Sequence, residues 1–152
     1  ISAGNGEYAS VRMLNSFIRS KSGECSSTVD LLELDLMTGT AAFIKSGAAP
    51  SFVIRGNTVH RLQAGTVPIG ISRALDAQET GFALKPEDTV VMISDGILQD
   101  DPDCKWITSY LASASSVSPE EIVYRICLHA AQAEKHDDCS AIALRIQNAE
   151  RN

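Results

Sequence analysis

Residues 28–44 read TVDLLELDLMTGTAAFI. Leu32, Leu34 and Leu36 alternate with Glu33 and Asp35, the period-two pattern of a strand with one buried face. Thr38-Gly39 then turns the chain and Ala41–Ile44 runs back, so the two strands form a hairpin and lie antiparallel. The same grammar continues downstream. SGAAP (46–50) breaks the return strand, Ser51–Arg55 resumes one, Gly56-Asn57 makes a tight turn, and Thr58–Leu62 pairs back. Gly65–Ser72 (GTVPIGIS), punctuated by Gly and Pro, predicts a structured loop. Gln78–Leu84 reads as an edge strand ended by Lys85-Pro86-Glu87-Asp88. Thr89–Ser94 (TVVMIS) is apolar without alternation, which predicts a strand covered on both faces. Ala141–Ile146 supplies the last strand.

Outward from this β-rich middle, the period changes. Residues 1–9 (ISAGNGEYA) are small and Gly-rich and read as a loop. Val11, Leu14, Phe17 and Ile18 recur at helical spacing, predicting a helix from Ser10 to about Arg19. A second helix is expected around Lys105–Ala114. The third has a clear start at Ser118-Pro119-Glu120-Glu121: Ser118 can cap, Pro119 fits the first turn, and Glu121 completes a capping box. Ile122, Ile126 and Ala130 then mark a buried stripe running to about Ala133. The expected architecture is an α+β sandwich, an antiparallel β core with helices outside it.

Composition narrows the class. The chain has 152 residues with 13 Lys+Arg against 19 Asp+Glu, a formal charge of −6, and 44% hydrophobic residues. That suits a single folded domain over residues 1–152. No apolar run approaches the ~20 residues that span a bilayer. The acidic balance argues against nucleic acid or anionic lipid as partners and suits a site that concentrates cations. Cys25, Cys104, Cys127 and Cys139 are widely spaced with no C-x-x-C pair, and read as four free thiols in a reducing compartment. A start at Ile1 without a charged-then-apolar leader reads as a fragment.

Two places put carboxylates at the ends of buried strands. Ser94-Asp95-Gly96 follows the apolar run, and Asp137-Asp138 precedes the last strand. An Asp there projects from a rigid platform into a loop crevice, where a hard cation takes its oxygens. Gly96 would let backbone approach that shell closely. Taken singly, an Asp-Gly after a strand is equally a plain turn, and Asp137-Asp138 equally a solvated loop or cap. His136, beside the acidic pair, reads either as a ligand or proton shuttle or as an idle exposed loop residue. Gly4-Asn5-Gly6 lacks the Lys-Ser/Thr of a phosphate loop, and no nucleophile elbow, Walker loop, dinucleotide fingerprint or H-E-x-x-H is present.

In order along the chain, STVDL (27–31), GAAPSF (47–52), PIGI (68–71), SDGI (94–97) and DDCS (137–140) resemble the motifs of one family. It is the stage II sporulation protein E phosphatase domain family, in the bacterial branch of the metal-dependent type 2C Ser/Thr protein phosphatases (PPM). The resemblance implies a sandwich of two antiparallel sheets flanked by helices. It also implies phosphate-ester hydrolysis with a two-metal Mn²⁺ or Mg²⁺ site. Position by position, Asp95 matches the family's SDG metal ligand and Asp137 the metal-binding Asp of its last motif. Gly96 and Asp138 support them. The implied substrate is a phosphoserine on an anti-sigma-factor antagonist, in the partner switching that controls sporulation. The implied setting is the cytoplasmic domain of a membrane-anchored protein, without direct membrane contact from this segment, and a second copy of the chain is a further candidate partner.

The resemblance has one departure. The family opens with Asp-Gly-x-Gly, whose Asp bridges both metals, whereas here the stretch reads Ile1-Ser2-Ala3-Gly4-Asn5-Gly6-Glu7 without Asp. A long helix expected between Ala9 and Val11 is also missing from the sequence. Two readings follow. In one, the chain joins separate pieces near Ser2/Ala3 and Ala9/Ser10 and the domain is incomplete on its N-terminal side. In the other, the chain is continuous and is a catalytically impaired, phosphatase-like binding module for the same partner. A third possibility, a hydrolase of another fold with Asp95 as nucleophile, conflicts with the antiparallel pattern.

Overall fold

The computed structural model describes residues 6–21, 25–133 and 137–148. In chain order the elements are α1 (Gly6–Ser20), β1 (Val29–Leu34), β2 (Thr40–Ser46), β3 (Ser51–Arg55), β4 (Thr58–Leu62), β5 (Gln78–Ala83), β6 (Thr89–Ile93), α2 (Lys105–Ala112), α3 (Pro119–Ala130) and β7 (Ala141–Arg145). A 3₁₀ turn, Asp95–Leu98, follows β6. The strands form two sheets, β1-β2-β5 and β4-β3-β6-β7, and every neighbouring pair is antiparallel.

The hairpin of the opening stretch forms in the register its alternation requires, with Leu32 opposite Phe43 and Leu34 opposite Ala41. Its turn needs Gly39, which adopts φ +73°, and a Cβ there would lie 2.6 Å from the Leu84 carbonyl oxygen. Leu36 falls in the turn and is exposed, so the strand is one alternation shorter than the leucines suggest.

Two apolar layers meet at the four-stranded sheet. Between the sheets pack Ala41, Phe43, Val53, Leu62, Leu84 and Val90. On the other face Phe52, Ile54, Val91 and Ile93 pack against Ile107 and Leu111 of α2 and Ile122 and Ile126 of α3. β3 and β6 therefore send alternate side chains into different cores, which is why neither shows a polar face. At roughly 1.5–3 kcal/mol for each fully buried large apolar side chain, these two layers dominate the folding energy. Ser118 caps α3 as expected, its Oγ accepting from the Glu121 N–H (3.3 Å), while the Glu121 carboxylate pairs with Arg125. Trp106 of α2 stacks on His129 of α3, ring centroids 3.6 Å apart and planes 6° from parallel.

A buried fork ties β3 to the turn before β6. Arg55 donates from Nε and Nη2 to the two Asp88 carboxylate oxygens (2.9 and 2.6 Å), and the Lys85 N–H donates to the second of them (2.8 Å). Asp88 is 2% exposed.

α1 differs from the expectation in two ways. It begins at Gly6, so part of the presumed N-terminal loop is helical, and its buried face is not the predicted one. The helix spans Ala9–Ser10, one of the two positions at which one reading of the sequence joins pieces; the other, Ser2/Ala3, lies outside the described residues. Its inward face is Val11, Asn15 and Ile18, while Leu14 and Phe17 are exposed. Asn15 displaces the apolar pair because the 65–72 loop offers it partners: its Nδ2 donates to the Ser72 carbonyl (3.2 Å) and its Oδ1 accepts from the Gly70 N–H (2.7 Å).

Candidate active site

The antiparallel β6–β7 pair carries both acidic motifs to one end of the four-stranded sheet. Ile93 is the last residue of β6 and faces Ala141, the first of β7. The ladder continues one step further, since the Ser94 N–H donates to the Ser140 carbonyl and the Ser140 N–H to the Ser94 Oγ (both 2.9 Å). Beyond that step the chains diverge into the 3₁₀ turn that starts at Asp95 and the loop that carries Asp137 and Asp138. All three carboxylate residues are exposed.

Gly96 sets how closely those two segments approach. A Cβ on it would lie 2.3 Å from the Asp138 carbonyl oxygen, inside any permitted contact. Gly96→Ala is therefore expected to push the two segments apart and to destabilise the chain by about 1–3 kcal/mol, the usual range for overpacking, read as a lower midpoint in urea unfolding.

Asp137 is held in place. Its Oδ1 accepts from the Asp138 N–H (2.8 Å) and its Oδ2 from Gln99 Nε2 (3.3 Å). Gln99 is a partner that the sequence alone does not reveal. It follows the Asp95 turn, so the two acidic segments are also joined by side chains.

Beside Asp95 a cleft of about 200 Å³ opens between the sheets, lined by Thr28, Asp30, Ala49, Ser94, Asp95 and Ser140 among others. Its wall holds a buried ionic network. The Lys45 ammonium, on a side chain 3% exposed, donates to Asp30 Oδ2 (2.7 Å), Ser51 Oγ (2.9 Å) and the Ala49 carbonyl (2.7 Å). Ser51 Oγ also donates to Asp30 Oδ2 (2.7 Å). Burial pushes the Lys45 pKa below its usual value, opposed by Asp30. Asp30 Oδ1 is buried and has no partner. Neither Asp30 nor Lys45 was assigned a role from sequence. The signal was a lysine directly after the apolar run Ala41–Ile44, which the hairpin register sets opposite Asp30.

The donor chemistry fits a hard divalent cation. The candidate ligands are carboxylate oxygens at strand ends, and Gly96 lets the Asp95 turn lie directly against the Asp138 backbone. Among the described residues no three His, Cys, Asp or Glu side chains converge closely enough to hold an ion by themselves. Asp95 and Asp137 are thus two candidate ligands that the described residues do not extend to a set of three. His136 and Ile1–Asn5 lie outside the described residues. The four cysteines are free, and His129 is engaged in its stack on Trp106.

Two antiparallel sheets with helices outside them and paired acidic loops at one sheet end define the architecture of type 2C (PPM) protein phosphatases. Residues 2–147 match the family model described as stage II sporulation protein E (SpoIIE), and the chain belongs to that family. Stage II sporulation protein E of Bacillus subtilis (strain 168) is 28% identical over 97% of this chain, and the chain spans 19% of that protein's length. A structure of the PP2C phosphatase domain with a fragment of the regulatory domain of SpoIIE from Bacillus subtilis superposes with a TM-score of 0.81 at 28% identity. It covers 95% of this chain and 46% of its own. The Mn-presoaked phosphatase domain of the same protein gives a TM-score of 0.70 at 26% identity, covering 99% of this chain and 70% of its own. No helix among the described residues is long and apolar enough to cross a membrane.

Proposed function

We propose that this chain is the catalytic domain of a divalent-metal-dependent protein serine/threonine phosphatase. Its proposed substrate is a phosphoserine on an anti-sigma-factor antagonist, in partner switching that governs sporulation. The observation that carries the reading is the β6–β7 ladder, which delivers Asp95 and Asp137 to the same sheet end.

In this mechanism Asp95 and Asp137 hold the cations, and Gln99 and the Asp138 N–H fix the Asp137 carboxylate in one orientation. When bound, Mn²⁺ or Mg²⁺ neutralises phosphoryl oxygens and lowers the pKa of an attacking water. The protein's share of the work is to hold the Asp137 carboxylate in a fixed position, so that little reorganisation remains when phosphate enters. Gly96 serves that end by letting the Asp95 turn sit against the Asp138 backbone.

The test is hydrolysis of p-nitrophenyl phosphate by the purified chain. Turnover is expected only with added Mn²⁺ or Mg²⁺, to stop with EDTA, and to return when metal is restored. The second reading, a binding module for the same antagonist, draws on a specific observation: no Asp occurs in residues 1–7, and no three-ligand cluster forms among the described residues. Retained binding of the phosphorylated antagonist with no metal-dependent turnover would favour it.

A further inference from the structure

We infer that Arg12 and Arg73 form a docking notch for an acidic stretch of the protein substrate, outside the cleft beside Asp95. The inference rests on the phosphatase reading above only in taking the partner to be that phosphoprotein.

The charge of the chain is unevenly spread. The protein carries a formal −6, yet residues 8–21 hold Arg12, Arg19 and Lys21 and no Asp or Glu. Residues 63–75, which lead from β4 toward β5, hold Arg73 and no other charged residue. These two cationic segments meet. Arg12 and Ser16, one turn apart on α1, line a notch of about 340 Å³ together with Arg73 from the loop. Both arginines are exposed, and among the described residues neither forms an ion pair. The next acid along the loop, Asp76, is engaged elsewhere, its Oδ2 accepting from the Val67 N–H (2.9 Å).

The notch is held in shape before any partner arrives. Asn15, the buried neighbour of Ser16, ties α1 to the Gly70 N–H and the Ser72 carbonyl, so the backbone that carries Arg73 is fixed relative to Arg12. Less ordering then remains to oppose binding. Two guanidinium groups on one notch repel each other, and carboxylates placed between them relieve that repulsion. The planar guanidinium fork also matches a carboxylate, which it takes with two parallel hydrogen bonds. Exposed arginines around an open notch resemble the polar rim of a protein–protein contact, where charge steers the partner and sets its register.

The same loop sets the notch near the acidic site. Ser27 and Ile69 exchange backbone hydrogen bonds (3.0 and 2.9 Å), and Ser46 Oγ donates to the Val67 carbonyl (2.8 Å). Thr28 and Ala48, which follow those anchors closely in the chain, line the cleft beside Asp95. Loop and cleft therefore share one end of the sandwich, where a single protein partner can meet both.

The test is binding of a fluorescein-labelled peptide carrying a run of glutamates to the full chain, read by anisotropy beside the same peptide with glutamines. Wild type is expected to favour the glutamate peptide about tenfold at low salt, the sum of two exposed charge pairs. Arg12→Gln/Arg73→Gln is expected to lose that preference with an unchanged melting curve and unchanged Mn²⁺-dependent turnover of p-nitrophenyl phosphate, which has no acidic stretch to dock. Raising salt from about 0.1 M to about 1 M shortens the screening length from ~10 to ~3 Å and is expected to erase the preference in wild type. Equal affinity of wild type for the two peptides, or a preference that survives in the double variant, overturns the inference. So does a double variant that loses p-nitrophenyl phosphate turnover, which would put the arginines in the reaction itself, or a wild type that sediments with phosphatidylserine vesicles and ignores the peptide. A chain that binds the glutamate peptide through both arginines yet shows no metal-dependent turnover keeps the notch and overturns the phosphatase reading alone.

Discussion

Asp95→Asn is expected to lower Mn²⁺-dependent hydrolysis of p-nitrophenyl phosphate by on the order of a thousandfold, with the melting temperature nearly unchanged. The charge stabilisation that a bound cation gives a phosphoryl group amounts to several kcal/mol, and each 1.36 kcal/mol is tenfold in rate. Asn keeps the size of the side chain but loses the charge that holds the cation. Asp95 is exposed and stands at the start of a short turn whose fixed points are Gly96 and Ile97, both buried. The fold therefore has little to lose from the change. Steady-state kinetics over a Mn²⁺ titration, paired with a melting curve, checks both halves. Turnover within tenfold of wild type at saturating Mn²⁺ would remove Asp95 from the site.

The largest stability effect is expected at the Arg55–Asp88 fork. Asp88→Ala leaves the Arg55 guanidinium without its carboxylate and the Lys85 N–H without an acceptor. Breaking a buried pair costs 3–5 kcal/mol, and because Arg55 keeps a third of its side chain in solvent the low end applies, about 3 kcal/mol. At roughly 2–4 °C for each kcal/mol in a chain of this size, melting should fall by about 6–12 °C. The effect also has a pH signature. Burial pushes the Asp88 carboxyl up, but the Arg55 hydrogen bonds and the Lys85 N–H outweigh it, and the folded pKa lies below the ordinary carboxylate value. The stabilisation is thus fully present above about pH 4, where the unfolded carboxyl is also ionised, and is lost as pH falls through the folded pKa. Urea unfolding of both proteins from pH 7 downward is expected to show a gap that is constant to about pH 4 and narrows below it. A gap that widens in acid contradicts the assignment.

What the sequence disclosed depended on how local its cause was. TVVMIS at 89–94 showed no polar face because β6 has none: Val90 enters one core, Val91 and Ile93 the other. Ser118-Pro119 showed the start of α3 because a cap is decided within one turn. The inward face of α1 was misread for the opposite reason. Asn15 is buried by partners more than fifty positions away, at Gly70 and Ser72, which no helical periodicity encodes.

The site divides along the same line. Asp95 and Asp137 were legible as acids at the ends of apolar strands, and the β6–β7 register then brought their segments together. Gln99 was not legible, because its partner Asp137 sits on a loop 38 positions away, whereas Lys45 faces Asp30 across the legible β1–β2 hairpin and only its burial was hidden. The Asp of the family's first motif has no counterpart in residues 1–7, so the motif carboxylates this chain carries are those of the later motifs.

The stack of Trp106 on His129 has a practical consequence. Trp106 is the chain's single tryptophan, and its ring lies flat against an imidazole from the neighbouring helix. Indole emission from this protein is accordingly an optical gauge of whether α2 and α3 remain in register, readable without any added label.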